Sequence, residues 1–251
     1  MNKLVVDHLK SASNDAAAKP AVLCGAQCLS YTELDALSDN IAAGLQSIGV
    51  SSGERIGIYM HKSVEAIACI YATLKAGCSY VPIALEYPLP RITYMLENCG
   101  IRFVLVATTP EPEVGQGIRT TGADVLVMKD LISAIGPGKN VLEPAHPSPQ
   151  DAAAILYTSG STGNPKGAVI THANLAAFVS WALPAFNLGP NDRLLSHAPL
   201  QFDLSFFDIF ASAAASAAVV LASPADTANA ARMSRLVNQS GVSIWQSVPS
   251  A

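Results

Sequence analysis

Short apolar runs of strand length alternate with stretches of helical periodicity along most of the chain, and no other property restricts its possible folds so tightly. Leu34, Leu37, Ile41, Leu45 and Ile48 recur at three- and four-residue steps behind a Ser30-Tyr31-Thr32-Glu33 capping box, which predicts an amphipathic helix ending near Gly49. Arg55 to Met60 follows as a strand, Ser63 to Lys75 as a helix stopped by Gly77, and Tyr80 to Ile83 as the next strand. Pro90 stands where a first helical turn would begin and Gly100 where it would end, so Arg91 to Cys99 reads as a helix before the strand Phe103 to Val106. Further strands are expected at Val125 to Met128, Ala153 to Tyr157, Ala168 to Thr171, Leu194 to His197, Ala218 to Leu221 and Ser243 to Gln246. Parallel neighbours require long crossovers, and right-handed helical ones pack best. The expected fold class is therefore α/β, with largely parallel sheets flanked by helices. A subdomain seam is expected at 136–150, which carries Pro137, Pro144, Pro147 and Pro149 and little apolar periodicity.

Half of the 251 residues are hydrophobic and 14% are charged, so the chain can bury a sizeable core and is not disordered. Lys plus Arg is 15 against 19 Asp plus Glu, a net charge of −4 that gives no footprint for a nucleic-acid backbone. Met1 to Lys10 mixes Lys3, Asp7, His8 and Lys10 into its apolar residues, unlike a secretory signal. The Ala- and Ser-rich stretch Ile209 to Ala222 is too short to cross a bilayer. A cytoplasmic protein without membrane or nucleic-acid partners is expected. Cys24, Cys28, Cys69, Cys78 and Cys99 are an odd number and read as free thiols. The histidines are scattered singly, so no structural metal is expected, and Trp181 and Trp245 are expected in the core.

The chemistry concentrates where an apolar strand runs into Thr158-Ser159-Gly160-Ser161-Thr162-Gly163-Asn164-Pro165-Lys166-Gly167. This segment holds four hydroxyls, three glycines and one lysine. Gly160 and Gly163 allow positive φ and close approach of the backbone to a ligand, the hydroxyls and free N–H groups can donate to phosphate oxygens, and Lys166 adds a mobile positive charge. An ordinary polar hairpin turn uses the same residue types. It is not a Walker A loop, because the Gly-x4-Gly-Lys-Ser/Thr spacing is absent and Ala168-Val169-Ile170-Thr171 reads as a strand rather than a helix.

Thr158 to Gly167 resembles the phosphate loop of the acyl-adenylate-forming superfamily, which includes nonribosomal peptide synthetase adenylation domains and acyl-CoA ligases. The likeness continues, in the family's order, through Leu29-Ser30-Tyr31-Thr32-Glu33-Leu34, Leu74-Lys75-Ala76-Gly77, Tyr80-Val81-Pro82 with Tyr87-Pro88, and Phe202-Asp203-Leu204-Ser205. The last string, through Asp208-Ile209, also resembles D-alanine-activating ligases. Two departures stand out: Ala84-Leu85 replaces the Asp-Pro that often follows Tyr-Val-Pro, and an Ala/Ser run replaces the glycine usual before the strand at Ala218. The resemblance implies that residues 1–251 are the N-terminal part of such an adenylation domain. The adenine-stacking aromatic, the magnesium-holding acid, the ribose-gripping aspartate and the C-terminal lid domain are expected beyond the place matching Pro249-Ser250.

What the resemblance implies is activation of a carboxylate by ATP with Mg2+. Thr158 and Lys166 are the implied catalytic residues, and Ser159, Gly160, Ser161, Thr162 and Gly163 complete the phosphate cradle. Asp203 would pair with a substrate ammonium, Leu204, Phe207 and Gln246 would face the side-chain pocket, and the product would pass to a carrier-protein phosphopantetheine thiol. Phe207 would shorten that pocket towards a small or medium neutral amino acid. Asp203 could instead merely cap the helix Ser205 to Ala215. The rivals are an acyl-CoA ligase fragment for an aryl or fatty acid, which has no ammonium to neutralise, and a catalytically incomplete interaction module.

Overall fold

The computed structural model describes residues 3–135, 145–158 and 165–248. The chain opens with α1 (Val5–Asp15), β1 (Pro20–Cys24), β2 (Gln27–Ser30) and α2 (Tyr31–Ser47). Strands and helices then alternate: β3 (Arg55–Tyr59), α3 (Val64–Lys75), β4 (Ser79–Ile83), α4 (Leu89–Cys99), β5 (Phe103–Val106), α5 (Pro112–Thr120), β6 (Asp124–Val127) and α6 (Met128–Ile135). The hairpin β7 (Ala152–Thr158) and β8 (Lys166–Thr171) leads into α7 (His172–Ala185) and β9 (Arg193–Ser196). A helical segment follows as α8 (Leu204–Phe206), a π-helical turn at Phe207–Ala211 and α9 (Ser212–Ala215). Then come β10 (Ala218–Leu221), α10 (Pro224–Thr227), α11 (Ala230–Ser240) and β11 (Ile244–Trp245).

Two compact units share this chain, one of residues 1–36, 62–67 and 173–251 and the other of 37–61 and 68–172. The first holds a sheet of order β11-β9-β10-β1-β2, parallel except for β1 against β2. The second holds β6-β5-β3-β4-β7-β8, parallel except for β7 against β8. The antiparallel pairs sit at sheet edges, where the connecting segment is too short for a crossover. Residues 136–144 of the expected seam lie outside the described residues, and the chain passes between its units at 36–37, 61–62, 67–68 and 172–173.

Local chemistry explains the elements. The Ser30 hydroxyl donates to Glu33 at 2.7 Å while the Glu33 N–H donates back at 3.3 Å, so the capping box starts α2. Gly100, with φ of +59°, closes α4, and the Ile101 N–H reaches back to Leu96 at 2.8 Å. Every residue of β4 and β5 is buried, as in a parallel sheet covered on both faces. Ile92, Met95 and Leu96 from α4 belong to one core with Val81, Ile83, Val104, Val106, Ile155 and Tyr157.

All five cysteines are free thiols, and among the described residues no helix is long and apolar enough to cross a membrane. The two tryptophans depart from expectation: Trp181 is 56% exposed and Trp245 45% exposed. Each packs one ring face or edge on a neighbouring aromatic, Phe178 and Phe186 for Trp181 and His197 for Trp245, and leaves the rest in water.

Candidate functional site

The β7–β8 hairpin pairs Tyr157 with Gly167 and Thr158 with Lys166. Thr158 and Lys166 are therefore neighbours across the mouth of the turn, both exposed, at the carboxyl end of β7. Ser159, Gly160, Ser161, Thr162 and Gly163 lie outside the described residues. The strand before the turn is fixed from below. The Tyr157 hydroxyl donates to Asn98 Oδ1 at 2.6 Å and lies 3.2 Å from Cys99 Sγ, both at the end of α4. Burial, helped by the Cys99 contact, keeps the phenol protonated far above its ordinary range. Gly167 permits the close pairing, since a Cβ there would lie 2.9 Å from Ile155 Cγ2 and 3.4 Å from the Tyr157 ring.

In the other unit, β9 ends at Ser196 and the chain runs through 197–203 into α8. Ser205 is buried, and its hydroxyl lies 2.6 Å from the Phe202 carbonyl and 3.4 Å from that of Leu200. Asp203 occupies the N-cap position without a side-chain capping bond, so capping is not its role. It is exposed, as is Phe202 before it. Leu204 is half-buried. Phe207 is buried with Ala182, Leu194, Ala211 and Ala217, its ring 4.8 Å from that of Phe186. Gln246 follows β11, and its Oε1 is buried without a hydrogen-bond partner among the described residues. The register of β11 on β9, Trp245 beside Leu195, also brings the His197 ring within 5.9 Å of Trp245.

Two charged residues to which the sequence assigned no site role, Lys62 and Asp208, are prominent in this unit. Lys62, just before α3, donates from Nζ to the carbonyl of Ser196 and, at 3.0 Å, to that of Ala198. Asp208 is buried in the π-helical turn. Burial lowers the Lys62 ammonium to about 8, against the pull of Asp208 and Cys24. The same burial raises the Asp208 carboxyl to about 7, against Lys62 and the Ser196 hydroxyl. The legible signal was a single acid inside Phe206-Phe207-Asp208-Ile209-Phe210. His197 is lowered by its own burial and by Lys62, which favours the neutral ring.

Among the described residues no three His, Cys, Asp or Glu side chains converge as a metal-ligand set. What the two segments offer instead is an exposed hydroxyl and an exposed cation at the end of one strand, and an exposed carboxylate beyond the end of another.

A family model described as "AMP-binding enzyme" matches residues 9–251. An L-proline–[L-prolyl-carrier protein] ligase of Streptomyces coelicolor is 34% identical over 250 residues, covering 93% of this chain and 47% of the relative. A ligase of the same name from Pseudomonas fluorescens is 35% identical over 235 residues, covering 92% and 47%. The chain thus spans about half the length of these curated relatives. Among solved structures, the nonribosomal peptide synthetase FmoA3 superposes with a TM-score of 0.85 at 30% identity, over 99% of this chain and 26% of that one. Its form described as AMPPNP-bound superposes with a TM-score of 0.84, also at 30% identity, over 98% and 26%.

Proposed function

Because this chain belongs to the AMP-binding enzyme family, we propose that it carries part of the machinery that activates an amino acid with ATP, giving an aminoacyl-adenylate for transfer to a carrier-protein phosphopantetheine thiol. The relatives named as prolyl-carrier protein ligases and the AMPPNP-bound form of FmoA3 support this reading. On this reading residues 1–251 are the N-terminal part of an adenylation domain, and its substrate is a small or medium neutral amino acid.

In the reaction a substrate carboxylate oxygen attacks the α-phosphorus of ATP, the bond from that phosphorus to the oxygen bridging the β-phosphate breaks, and pyrophosphate leaves. The attacking carboxylate is ionised at neutral pH, so no general base is required and neither His172 nor His197 is given that task. The barrier is the approach of two anions. Fixed donors that stabilise charge on the departing phosphates lower it, and so does holding the carboxylate in place. Thr158, Ser159, Gly160, Ser161, Thr162, Gly163 and Lys166 form the proposed cradle. Asp203 reads the ammonium group, and Leu204, Phe207 and Gln246 border the side chain. Mg2+ would neutralise phosphate charge when bound, and the described residues supply no ligand set for it.

The observation that carries this reading is Asp203, an exposed carboxylate at a helix start that makes no capping bond and stands in register with Phe202 and Ser205. It also favours amino acids over the aryl or fatty acids of acyl-CoA ligases, which bring no cation. Titration calorimetry with nucleotides tests the cradle: Lys166→Ala should weaken ATP binding about tenfold while leaving AMP binding nearly unchanged, as loss of a charged phosphate contact predicts. Equal losses for ATP and AMP would remove Lys166 from the cradle.

A further inference from the structure

The segment 196–202 is held at its backbone by side chains that lie outside it. Counting from the end of β9, the carbonyls of Ser196 and Ala198 both accept from Lys62, and those of Leu200 and Phe202 both lie within reach of the Ser205 hydroxyl. Ser196 also accepts from the Ala222 N–H at 3.1 Å, which ties this end of the segment to the chain just past β10. The carbonyls of Ser196, Ala198, Leu200 and Phe202 thus each meet a side chain from outside the segment, while that of Pro199 accepts from the Phe202 N–H at 3.1 Å.

A lone ammonium withdrawn from water is costly unless charge and hydrogen bonds compensate it. Here two carbonyls supply the bonds, and Asp208, buried on the π-helical turn, favours the charged ammonium. A π-turn adds one residue per hydrogen-bonded ring and re-aims the side chains around it, and such turns concentrate at functional sites. Asp208 lies on the same helical segment that begins with Leu204, so this buried acid and the start of the substrate motif belong to one element.

We propose that Lys62 is a positioning residue for substrate recognition: it clamps the carbonyls of Ser196 and Ala198 and, with Ser205, sets where Asp203 stands. Lys62 does not touch the substrate in this scheme. It acts through the backbone it holds. The proposal rests on the reading of Asp203 as the ammonium-binding group. His197 lies between the two clamped carbonyls, so its place beside Trp245 is set by the same contacts.

The test uses the full chain with Lys62→Met, Lys62→Arg and Ser205→Ala, and the probes are L-proline, L-alanine and ATP. Lys62→Met should speed amide hydrogen exchange across 197–203 and weaken amino-acid binding about tenfold, the scale of lost hydrogen bonds from a charged donor, with ATP affinity unchanged. Lys62→Arg still donates to two carbonyls and should restore most of the affinity, which a purely structural loss would not predict. If Lys62→Met does not fold, Ser205→Ala carries the test, with faster exchange confined to 200–203 and the same split between amino acid and ATP. Unchanged exchange over 197–203, or equal losses for amino acid and ATP, overturns the clamp. Failure of the wild-type chain to bind either amino acid overturns the reading of Asp203, and the exchange measurement tells this apart from failure of the clamp.

Discussion

Ser216 holds a left-handed backbone conformation, φ 53° and ψ 31°, at the C-cap of α9. It sits in the Ala/Ser run that replaces the family's usual glycine before β10, so the departure visible in the sequence falls on a position where a Cβ is unfavourable. Ser216→Gly should stabilise the chain by roughly 1 kcal/mol, the steric relief exceeding the entropy cost of glycine. Thermal unfolding checks this, and a lowered melting temperature would show that the Ser216 side chain has a compensating contact.

Lys62 and Asp208 give opposite pH signatures when separated. The Asp208 pKa rises from 3.8 to about 7 on folding, so its contribution to stability is present below 3.8 and lost as pH rises through the folded value. The Lys62 pKa falls from 10.5 to about 8, so its contribution is present above 10.5 and lost as pH falls through the folded value. Lys62→Met leaves the acid alone and should lose stability as pH rises through neutrality; Asp208→Leu leaves the ammonium alone and should lose stability as pH falls from 10 towards 7. Urea titrations at several pH values measure both slopes, and slopes of the same sign would contradict the opposite shifts.

At the scale of elements, the β7–β8 hairpin depends on one close approach. Gly167→Ala would place a Cβ 2.9 Å from Ile155 Cγ2, and the strand would have to move away from its partner. The expected cost is about 1–3 kcal/mol, as for other overpacked sites, together with weaker ATP binding because Thr158 and Lys166 are displaced as a pair. Calorimetry and thermal unfolding on the same variant measure the two effects. The helix from Tyr31 and the strands Phe103–Val106 and Ala218–Leu221 were legible because each carries its own signal, a cap, a terminator or a pure apolar run. The π-turn at Phe207–Ala211 was not, since its residues read as one ordinary helix and only the burial of Asp208 distinguishes them. The strands β1 and β2 were missed as well: they are short, and the second is half exposed.

Across the whole molecule, both candidate segments leave the carboxyl ends of strands, β7 in one sheet and β9 in the other, the usual location for ligands on open α/β sheets. ATP should therefore slow hydrogen exchange at residues 157–167 and leave the amino ends of β7 and β9 unchanged, whereas an amino acid should protect 197–207. Mass-spectrometric exchange maps with each ligand alone test this, and protection at the opposite strand ends would contradict the assignment.

The sequence by itself determined the α/β class, the cap and stop of α2 and α4, and the residue types at the hairpin and at Phe202–Ser205, because periodicity, capping and motif spacing are local and each residue carries its own share of them. Tertiary structure alone decided that Lys62 meets the carbonyls of Ser196 and Ala198, that Asp208 turns inward, that Asp203 is free of capping and that both tryptophans stay wet. Those outcomes depend on partners more than a hundred residues away in sequence, or on which side of a helix finds room. Desolvation and hydrogen bonding between such partners leave no local trace in the order of residues.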